Sequence, residues 1–430
     1  MSVSPTASGV EAGACVARTN CRICGSRQFE PFLDLGEQPL ANALLTRDAL
    51  DSPELRYPLQ SQVCTDCGLV QLRHVVDPRI LFTDYPYFSS GVPTSAHFAD
   101  YVQELVSSFL PVPGGFVCEI ASNDGHLLRL LQQAGARVLG VDPARNITAV
   151  ANERGVPTIV DFFSAKLADD IRRTHGPAQL VIANNVVAHI DDHHDLVRGI
   201  ASLLSDDGVF VMEAPHLSDM FERLTFDTIY HEHLSSLALR PLTRLFGQFG
   251  LEIFDVKLMP VQGVSLRAYV ARGGHRRVQP SVAACLAREA ALGLDRMSSY
   301  AALARRIEEL KADVVSTVRR LKAQGKRIAG YGAGAKGNTI LLYYGLGRAE
   351  LDYVTDEQLS KIGKFMPGTR LPIADVVWSR QHPPDYYFLL AWNYKDVILH
   401  KEQEFVDRGG KFIMPIGAER IVPATSSMTG

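Results

Sequence analysis

The sequence has no long hydrophobic run and little net charge. No apolar stretch in its 430 residues approaches the roughly 18 residues that a membrane-spanning helix needs. Its 44 lysines and arginines nearly balance 47 aspartates and glutamates, and the net charge of −3 argues against a general binder of nucleic acids or acidic membranes. The N-terminus has no basic segment followed by an apolar one, so no secretory signal is visible and we expect a cytoplasmic protein.

Lysine is scarce in most of the chain. Lys166 and Lys257 are the only two before residue 310, and nine follow it. Lysines that lie near glycines in the C-terminal third are therefore candidates for anion binding, with solvated surface lysines as the alternative. A chain of 430 residues exceeds what one hydrophobic core supports, so we expect roughly two to four domains.

Four of the seven cysteines form two close pairs, Cys21 with Cys24 and Cys64 with Cys67. Two CxxC pairs are the ligand pattern of one tetrahedral zinc ion held by four thiolates. Four thiolates leave no open coordination position, so we expect the zinc to be structural. The pairs are farther apart than the usual spacing of about 15–20 residues, so an insert must fold between them. Chance pairs or a redox dithiol are the alternatives.

A complete βαβ pattern follows the cysteine-containing segment. An apolar strand over residues 116–120 leads through a small-residue loop into an amphipathic helix over residues 126–133, and the strand "RVLGVD" ends on Asp142. Further strands are predicted at "PTIV", "AQLVIANN" and "GVFVMEAP". Strands that alternate with helices predict a doubly wound sheet, whose ligand lies at the carboxyl ends of the strands.

The loop "EIASNDG" in this unit is unsuited to a pyrophosphate. It has one glycine and begins with Glu119, whereas a pyrophosphate needs several glycines for close backbone approach. A cationic or zwitterionic ligand fits better, such as the methionine part of S-adenosylmethionine, with Asp142 accepting the ribose hydroxyls. A nicotinamide-binding or non-binding Rossmann unit is the alternative. The predicted cofactor residues are Glu119, Ser122, Asn123, Gly125, Asp142 and Asn184.

A second βαβ pattern lies near the C-terminus, after an almost entirely helical stretch over residues 280–326. A strand over residues 327–330 runs into "GYGAGAKGN", and further strands are predicted at "LDYVTDE", "DYYFLLAW" and "KFIMPI". The glycines allow backbone N–H groups to point inward and Lys336 supplies a cation, so the loop suits a diphosphate. Lys361 and Lys364 could close over the same anion. A purely structural glycine turn is the alternative.

The segment "YHEH", residues 230–233, concentrates groups that can bind a metal or move a proton. His231 and His233 would share a face on a strand, where a metal is possible, whereas Tyr230 and His233 would share a face on a helix. A polar turn is the third alternative. Tyr85 and Tyr87, in "YPYFSS", belong to a segment that could reach the same cleft.

The zinc pattern, "EIASNDG", "YHEHLS" and "GYGAGAKGN" occur in this order in the chain, which thereby resembles the sugar C-methyltransferases. These enzymes act on nucleotide-linked 4-ketohexoses in deoxysugar pathways of antibiotic biosynthesis. The resemblance covers about residues 20–420. It implies a small zinc-binding domain, a central Rossmann-like S-adenosylmethionine domain and a C-terminal Rossmann-like α/β domain that helps to hold the nucleotide sugar.

The resemblance also implies roles for particular residues. His233 would be the base, with Tyr230 and Glu232 completing the motif, and His189 would lie near the sugar. Because a ketone at C4 acidifies the hydrogens at C3 and C5, His233 could remove one of them. Glu232 would fix its tautomer or support the site, and Tyr230 would donate a hydrogen bond to the sugar or enolate. The predicted substrate-binding residues are Tyr87, Tyr331, Lys336, Asn338 and Lys361.

We therefore expect an α/β protein that methylates a nucleotide-linked 4-keto-deoxyhexose at carbon, with C3 favoured over C5 and thymidine as the family's usual base. The expected parts are a disordered leader (1–18), a zinc domain (19–92), a methyltransferase domain (93–278), a helical connector (279–325) and a nucleotide-sugar domain (326–422). We expect a monomer or weak homo-oligomer. An O- or N-methyltransferase, or a zinc-ribbon regulatory protein with a degenerate Rossmann domain, are the alternatives.

Overall fold

The computed structural model describes residues 14–91, 95–110, 112–261 and 263–423. The N-terminal part is a four-stranded antiparallel sheet beside a two-stranded one. One edge strand of the larger sheet, Ser235–Ser236, comes from the central part of the chain and pairs with Val70–Leu72. The elements of the N-terminal part itself are β1 (Cys15–Ala17), β2 (Phe29–Gln38), β3 (Tyr57–Cys64), β4 (Val70–Leu72), β5 (His74–Val76) and α1 (Pro78–Phe82).

The prediction of a disordered leader over residues 1–18 is wrong at its C-terminal end. Cys15–Ala17 forms β1 and pairs antiparallel with β5. The pairing is stabilised by a hydrogen bond from the Asp77 backbone N–H to the Ala14 carbonyl (3.0 Å), so backbone bonds hold this segment against the sheet. The rest of the predicted leader, residues 1–13, lies outside the described residues.

The central part is a seven-stranded sheet covered by helices on both faces. Its elements are α2 (Ser95–Phe109), β6 (Phe116–Ile120), α3 (His126–Gln133), β7 (Arg137–Asp142), α4 (Arg145–Glu153), β8 (Thr158–Val160), α5 (Ala165–His175), β9 (Ala178–Asn184), α6 (His193–Leu203), β10 (Leu204–Pro215), α7 (Ser218–Arg223), β11 (Ser235–Ser236), α8 (Leu239–Gly247), β12 (Leu251–Met259) and β13 (Ser265–Arg272).

The strand order of this sheet is β12-β13-β10-β9-β6-β7-β8. Strands β6 to β10 are parallel, while β12 and β13 form an antiparallel hairpin at one edge. After β6, the chain adds β7 and β8 on one side of β6 and then crosses to add β9 on the other side. The order therefore reverses between β6 and β9, which is where a doubly wound sheet forms its ligand crevice.

Two helices, α9 (Pro280–Leu292) and α10 (Met297–Ala323), connect the central and C-terminal parts. The sequence predicted helix almost throughout this stretch, but the structure divides it at Gly293. Gly293 adopts a left-handed conformation with φ of 75°, a conformation in which glycine commonly ends a helix.

The C-terminal part is a six-stranded sheet in the order β16-β15-β14-β17-β18-β19. Strand β19 is antiparallel and the others are parallel. Its elements are β14 (Ile328–Tyr331), α11 (Ala335–Tyr344), β15 (Val354–Asp356), β16 (Ile373–Asp375), α12 (Val376–Gln381), β17 (Tyr386–Leu389), α13 (Lys395–Lys401), α14 (Gln403–Asp407), β18 (Lys411–Ile413) and β19 (Ile421–Val422). The order reverses between β14 and β17, which places a second crevice at the glycine-rich loop.

A continuous hydrophobic core joins the N-terminal and C-terminal parts. It includes residues of the N-terminal sheet, of α10 and of the C-terminal sheet, among them Leu59, Leu72, Phe226, Ile307 and Phe388. A second core joins Ile23 and Leu69 of the N-terminal part to the central sheet, so the N-terminal part packs against both parallel sheets. No helix within the described residues is both long and apolar enough to span a membrane.

Candidate active site

The crevices of the two parallel sheets open onto one cleft of about 950 Å³. Its walls come from all three parts of the chain: the segment after α1, the strand ends of the central sheet and the glycine-rich loop of the C-terminal sheet. Most of the predicted site residues line it, namely His189, Tyr230, His233, Glu119, Ser122, Asn123, Asp142, Asn184, Tyr87, Tyr331, Lys336 and Lys361. Glu232, Gly125 and Asn338 are predicted site residues that do not line it.

Acidic and polar groups gather at the carboxyl ends of β6 and β7. Asp142 accepts backbone N–H bonds from Asn123 and Ala144, both at 2.9 Å, and this ties the loop after β6 to the end of β7. Burial, together with the nearby carboxylates of Asp142 and Asp124, raises the pKa of Glu119 well above its usual value. The arrangement disfavours a diphosphate and favours a ligand with a positive charge and hydroxyl groups.

The groups in this crevice fit S-adenosylmethionine. Glu119 Oε2 and Ser122 Oγ are buried and have no hydrogen-bond partner among the described residues, so they are available to a ligand. Three non-glycine residues at the strand ends, Ala121, Asn123 and Asn185, adopt left-handed conformations with φ of 52–55°. Such conformations are costly and concentrate at ligand sites.

Two predicted cofactor residues have structural roles. Gly125 begins α3 with φ of 72°, and a Cβ atom there would come within 2.9 Å of Val156, so only glycine fits. The Asn123 side chain is turned toward the segment after α1. Its Nδ2 donates to the Tyr87 carbonyl (3.0 Å) and its Oδ1 accepts from the Ser89 N–H (2.8 Å). Asn184 lines the cleft and accepts a hydrogen bond from the Tyr101 hydroxyl at 3.2 Å.

His233 is held in one tautomer by its own chain. Its Nδ1 lies 2.8 Å from the Thr228 carbonyl oxygen, and because a carbonyl can only accept, Nδ1 carries the proton. Nε2 therefore has a lone pair, which accepts a hydrogen bond from the Tyr230 hydroxyl at 2.7 Å. Tyr230 and His233 are thus brought together at i, i+3 by a turn and not by a helix, closed by a bond from the His233 N–H to the Tyr230 carbonyl (2.8 Å), so the third of the three alternatives holds. We name residues 225–233 the His233 turn.

His189 lies against His233, with 4.8 Å between the ring centroids. Burial lowers the pKa of His189 to about 4, so its ring is neutral near pH 7. Burial, then the neighbouring His189, lowers the pKa of His233 well below its usual value. Both imidazoles are therefore neutral, and His233 presents an unprotonated Nε2 to the cleft.

Glu232 does not contact His233, so the prediction that it fixes the tautomer of His233 is wrong. Its carboxylate instead accepts hydrogen bonds from Asn42 Nδ2 (2.6 Å) and from the Tyr85 hydroxyl (2.8 Å). Asn42 and Tyr85 both line the cleft, whereas Glu232 is buried behind them. Glu232 therefore supports the site by positioning two residues that the YHEH motif did not reveal.

His231 points away from the cleft. Its Nε2 donates to the Tyr57 carbonyl oxygen at 3.1 Å, and its ring packs edge-on against that of Tyr57. His231 and His233 do not belong to any cluster of the described residues with metal-ligand geometry. The alternative of a metal bound by this histidine pair is therefore not supported within that part of the chain.

The His233 turn is also anchored to the C-terminal part. Asp227 is fully buried and accepts a hydrogen bond from Trp392 Nε1 at 2.7 Å. Phe226 packs edge-on against Tyr343, with 5.2 Å between centroids. Sequence reasoning missed Asp227 and Trp392 because they lie 165 positions apart and form no motif.

The predicted substrate residues differ in how they face the cleft. Lys336 lines it, and its charge acts on both His233 and Asp227. Lys361 lines it and donates to Asp356 at 3.2 Å. Tyr87 lies on the cleft wall with its side chain partly exposed.

The prediction for Asn338 requires correction, whereas Tyr331 lines the cleft as predicted but uses its hydroxyl elsewhere. The Tyr331 hydroxyl donates to the buried carboxylate of Glu402 at 2.8 Å, so the hydroxyl is used within the fold. Asn338 is fully buried in α11 and does not line the cleft. Its amide has no hydrogen-bond partner among the described residues. Both residues belong to the glycine-rich segment in sequence, but only Asn338 is turned away from the cleft, because it lies on the buried face of α11.

The glycine-rich loop packs closely against β17 and its following residues. Gly332 has φ of 96°, and a Cβ atom there would lie 2.5 Å from Ala391. In contrast, a Cβ at Gly334, which precedes α11, would meet nothing within 4 Å. The first turn of α11 therefore opens toward the cleft, with the Lys336 side chain beside it, which is an arrangement suited to an anion.

The four predicted zinc ligands come together at one corner of the N-terminal sheet. The Sγ atoms of Cys21 and Cys67 are 3.5 Å apart, as are those of Cys24 and Cys64, and all four lie within 4.8 Å of one another. A tetrahedral ion with Zn–S bonds of about 2.3 Å separates its sulfurs by about 3.8 Å. The sulfur positions thus fit one zinc ion with no open coordination position.

Comparisons with known proteins match all three parts of the chain. Family models match residues 21–82 ("Putative zinc binding domain"), 95–256 ("Methyltransferase domain") and 260–417 ("C-methyltransferase C-terminal domain"). The C-methyltransferase NovU of Streptomyces niveus is 40% identical over 410 residues, which cover 95% of this chain and 98% of that protein.

Solved structures match less closely. Magnesium protoporphyrin IX methyltransferase (ChlM) from Synechocystis PCC 6803 with bound SAM is 17% identical over 41% of this chain and 81% of that chain, with a TM-score of 0.32. The PH0226 protein from Pyrococcus horikoshii OT3 is 15% identical over 45% of this chain and 98% of that chain, with a TM-score of 0.36.

Proposed function

Because the chain belongs to the C-methyltransferase family, we propose that it methylates a carbon atom of a nucleotide-linked 4-keto-deoxyhexose. It is an S-adenosylmethionine-dependent methyltransferase. The observation that carries the proposal is the neutral His233, whose Nε2 lone pair faces the cleft beside Tyr230. Methylation at carbon requires removal of a proton from that carbon, and a neutral imidazole is the side chain best suited to this near pH 7.

The cofactor residues would be those at the ends of β6 and β7. Glu119 and Ser122 offer buried oxygen atoms without partners among the described residues, and Asp142 has lone pairs left for ribose hydroxyls beyond its two backbone bonds. Bound S-adenosylmethionine would supply the electrophilic methyl group that the deprotonated carbon takes up. The zinc ion has a structural role, because four thiolates leave it no position for a substrate.

The reacting ketone would lie between His233, Tyr230 and His189. When the Tyr230 hydroxyl turns from Nε2 to the C4 ketone oxygen, the Nε2 lone pair is free to take the proton from C3 or C5. The Tyr230 hydroxyl and a neutral N–H of His189 then stabilise the enolate oxygen by hydrogen bonds. The imidazolium that forms on His233 keeps its Nδ1 bond to the Thr228 carbonyl, which becomes stronger when the ring is charged.

The nucleotide would be held by the C-terminal part. The first turn of α11 opens toward the cleft at Gly334, and Lys336 and Lys361 line the same wall, so a diphosphate there would meet two cations and the first backbone N–H groups of a helix. Lys336 is also close enough to influence His233. It can therefore serve both the diphosphate and the negative charge that develops on the enolate.

The direct test is to transfer a labelled methyl group and identify the atom that receives it. The protein would be incubated with S-adenosylmethionine carrying a ¹³C-methyl group and a TDP-linked 4-keto-6-deoxyhexose, and the product examined by two-dimensional NMR. We expect the label on carbon, at C3 or C5, and no transfer by His233→Asn.

The matched control is His231→Asn, since His231 is two residues away, faces out of the cleft and bonds the Tyr57 carbonyl. This variant should still transfer the label to carbon, at a reduced rate, because it loosens the turn but keeps His233. Label on an oxygen or nitrogen atom would show that the protein is a heteroatom methyltransferase. No transfer to any 4-ketohexose, with S-adenosylmethionine binding intact, would overturn the proposed substrate class.

A further inference from the structure

A segment between the N-terminal and central parts crosses the mouth of the cofactor crevice. We name residues 83–91 the strap. It carries Tyr85 and Tyr87, both of which line the cleft. It makes hydrogen bonds to two elements on the cofactor side, the loop after β6 and the first turns of α4, and it also reaches the His233 turn.

Asn146 binds both backbone groups of Tyr85. Its Oδ1 accepts from the Tyr85 N–H at 3.1 Å and its Nδ2 donates to the Tyr85 carbonyl at 2.9 Å. One amide side chain thus binds the strap in the way that a neighbouring β-strand would. Just before it in α4, the backbone N–H of Arg145 donates to the Thr83 carbonyl at 3.0 Å.

Asn123 binds the strap in a similar way from the loop after β6. It bridges the Tyr87 carbonyl and the Ser89 N–H, while its own backbone N–H donates to Asp142. Beside it, Arg154 of the segment after α4 donates to Asp124 at 2.9 Å and to Ser90 Oγ at 3.3 Å. The strap is therefore fixed on the same loop and helix that frame the cofactor crevice.

At its other side the strap contacts the proton-transfer machinery. The Tyr85 hydroxyl donates to the buried Glu232, which directly precedes His233 in the turn. The tyrosine side chain has only two rotatable bonds and a rigid ring. A rotation or displacement of the Tyr85 backbone would therefore move the hydroxyl out of hydrogen-bond reach of Glu232. The position of Tyr85 therefore depends on the bonds made by Asn146.

We propose that Asn146 is a positioning residue that couples the cofactor crevice to the acceptor side of the site through the strap. It does not line the cleft, so it acts through Tyr85 and not by touching a ligand. Cofactor binding then stabilises the loop and α4, these hold the strap, and the strap holds Tyr85 against Glu232. The catalytic part of this inference rests on the proposed function, whereas the coupling of strap and cofactor does not.

The chain provides a closely matched control on the same helix. Asn152 also uses its amide to bind both backbone groups of one residue. It accepts from the Thr158 N–H and donates to the Thr158 carbonyl, both at 3.1 Å. Thr158 begins β8 at the edge of the sheet, and neither residue lines the cleft. Asn152→Ala therefore removes an equivalent pair of bonds from the same helix, and with it a bond to the Thr148 carbonyl (2.9 Å), without touching the strap.

The first arm measures the strap itself and needs no acceptor substrate. Hydrogen–deuterium exchange is followed by mass spectrometry on peptides that cover residues 83–91, with and without S-adenosylhomocysteine. We expect S-adenosylhomocysteine to slow exchange of the strap in the wild type and in Asn152→Ala. In Asn146→Ala the strap should exchange at least about fivefold faster, as the loss of two hydrogen bonds implies, and the ligand should protect it less.

The second arm measures catalysis. In Asn146→Ala we expect kcat/KM for the acceptor to fall at least about fivefold, while the Kd for S-adenosylhomocysteine, measured by calorimetry, stays within about twofold of the wild type. Asn146→Asp should not restore activity, because its second oxygen faces the Tyr85 carbonyl where a donor is needed. Asn152→Ala should retain wild-type kcat/KM.

The outcomes separate this inference from the proposed function. If Asn146→Ala matches Asn152→Ala in both strap exchange and kcat/KM, the coupling does not exist and Asn146 is only a surface residue. If the wild type fails to methylate any 4-ketohexose but the strap responds to S-adenosylhomocysteine as expected, the proposed substrate is wrong and the coupling stands. A Kd for S-adenosylhomocysteine that weakens in step with kcat/KM would overturn the inference, because Asn146 would then act on the cofactor site.

Discussion

At the scale of single residues, the site depends on keeping two histidines uncharged in a buried position. A histidine in water has a pKa near 6.5 and would be partly protonated near neutral pH. Burial lowers the pKa of His189 to about 4 and holds that of His233 well below its usual value. The lowered pKa makes His233 a weaker base, but it also keeps the ring unprotonated near neutral pH, which is the form that can accept a proton.

This leads to a prediction about pH. A base whose pKa is lowered stays unprotonated as the pH falls, so activity should persist below pH 6.5, the usual value for histidine. We expect kcat/KM for the acceptor to be constant between about pH 6.5 and 8 and its acidic limb to lie below 6.5. A pH–rate profile with substrate stability checked at each pH measures this. An acidic limb above that value would mean that His233 is not the residue that must be deprotonated, or that it is not buried in the working enzyme.

A second prediction concerns Tyr331 and Lys336 of the glycine-rich loop, which the sequence analysis both assigned to substrate binding. The Tyr331 hydroxyl is used by Glu402 within the fold, whereas Lys336 lines the cleft. Tyr331→Phe should lower the free energy of unfolding by about 1–2 kcal/mol and change the acceptor KM less than about twofold. Lys336→Met should raise the acceptor KM about 10- to 100-fold, since a bond between the substrate and a charged group is lost.

Thermal or denaturant unfolding and steady-state kinetics on the two variants decide the matter. A large KM effect in Tyr331→Phe, with stability unchanged, would restore its predicted role as a substrate ligand.

The limits of sequence reasoning are clear at this scale. The contact between Tyr230 and His233 is local, so the sequence could offer it as one alternative, but it could not decide between a strand, a helix and a turn. The partners of Glu232 were not, because Tyr85 and Asn42 lie 147 and 190 positions away. No sequence pattern connects them, and their proximity depends on how the N-terminal sheet packs against the His233 turn.

At the scale of elements, the His233 turn is a short irregular segment held from three sides. The N-terminal part holds it through Asn42 and the Tyr57 carbonyl, the strap through Tyr85, and the C-terminal part through Trp392. A turn with little secondary structure of its own would otherwise be mobile. These contacts fix the Thr228 carbonyl, and with it the tautomer of His233.

Removal of one of these contacts should therefore affect catalysis from a distance. Trp392→Phe deletes the donor to Asp227 and leaves a buried carboxylate with one partner fewer. We expect a loss of about 1–3 kcal/mol in the free energy of unfolding and a fall of about tenfold in kcat, with the Kd for S-adenosylhomocysteine unchanged.

The chain has two tryptophans, which makes the control simple. Trp378 lies on the exposed side of α12 and stacks on His382. Trp378→Phe should leave kcat as in the wild type. Equal kcat for the two variants would show that the Asp227–Trp392 bond does not position the His233 turn.

The regular elements were the most predictable part of the structure. The predicted boundaries of β6, α3 and β7 agree with those observed, because strand, loop and helix follow each other with clear changes in hydrophobic period. The antiparallel β12–β13 edge and the two-residue strand β11 were not predicted. A two-residue strand has no pattern of its own, and its pairing with β4 is a property of the assembled fold.

At the scale of the whole molecule, strand β11 connects the zinc site to the His233 turn. The Cys64–Cys67 pair lies in the turn between β3 and β4, and β4 pairs with β11 through Gln71 and Ser235. The Leu72 backbone N–H also donates to the Leu234 carbonyl at 2.9 Å, directly after His233. The zinc ion thus stabilises a sheet whose last strand holds the end of the His233 turn.

We therefore predict that zinc removal lowers activity although zinc takes no part in the chemistry. Strong chelation, or Cys64→Ser, should reduce kcat and lower the unfolding temperature together, and zinc should restore both in the chelated protein. Replacement of zinc by cobalt should restore kcat to the zinc value, because the ion touches no reactant. A kcat that changes severalfold with the identity of the bound metal would mean that the ion lies in the reaction path.

The most direct test of the central claim, that His233 removes a proton from a sugar carbon, is hydrogen exchange without methyl transfer. The protein would be placed in D₂O with S-adenosylhomocysteine and a TDP-linked 4-keto-6-deoxyhexose, and the C3 and C5 proton signals followed by NMR. We predict loss of one of these signals with the wild type and with His231→Asn, and retention of both with His233→Asn. If both signals persist in the wild type while the sugar is shown to be bound, His233 does not act as a carbon base and the proposed mechanism is wrong.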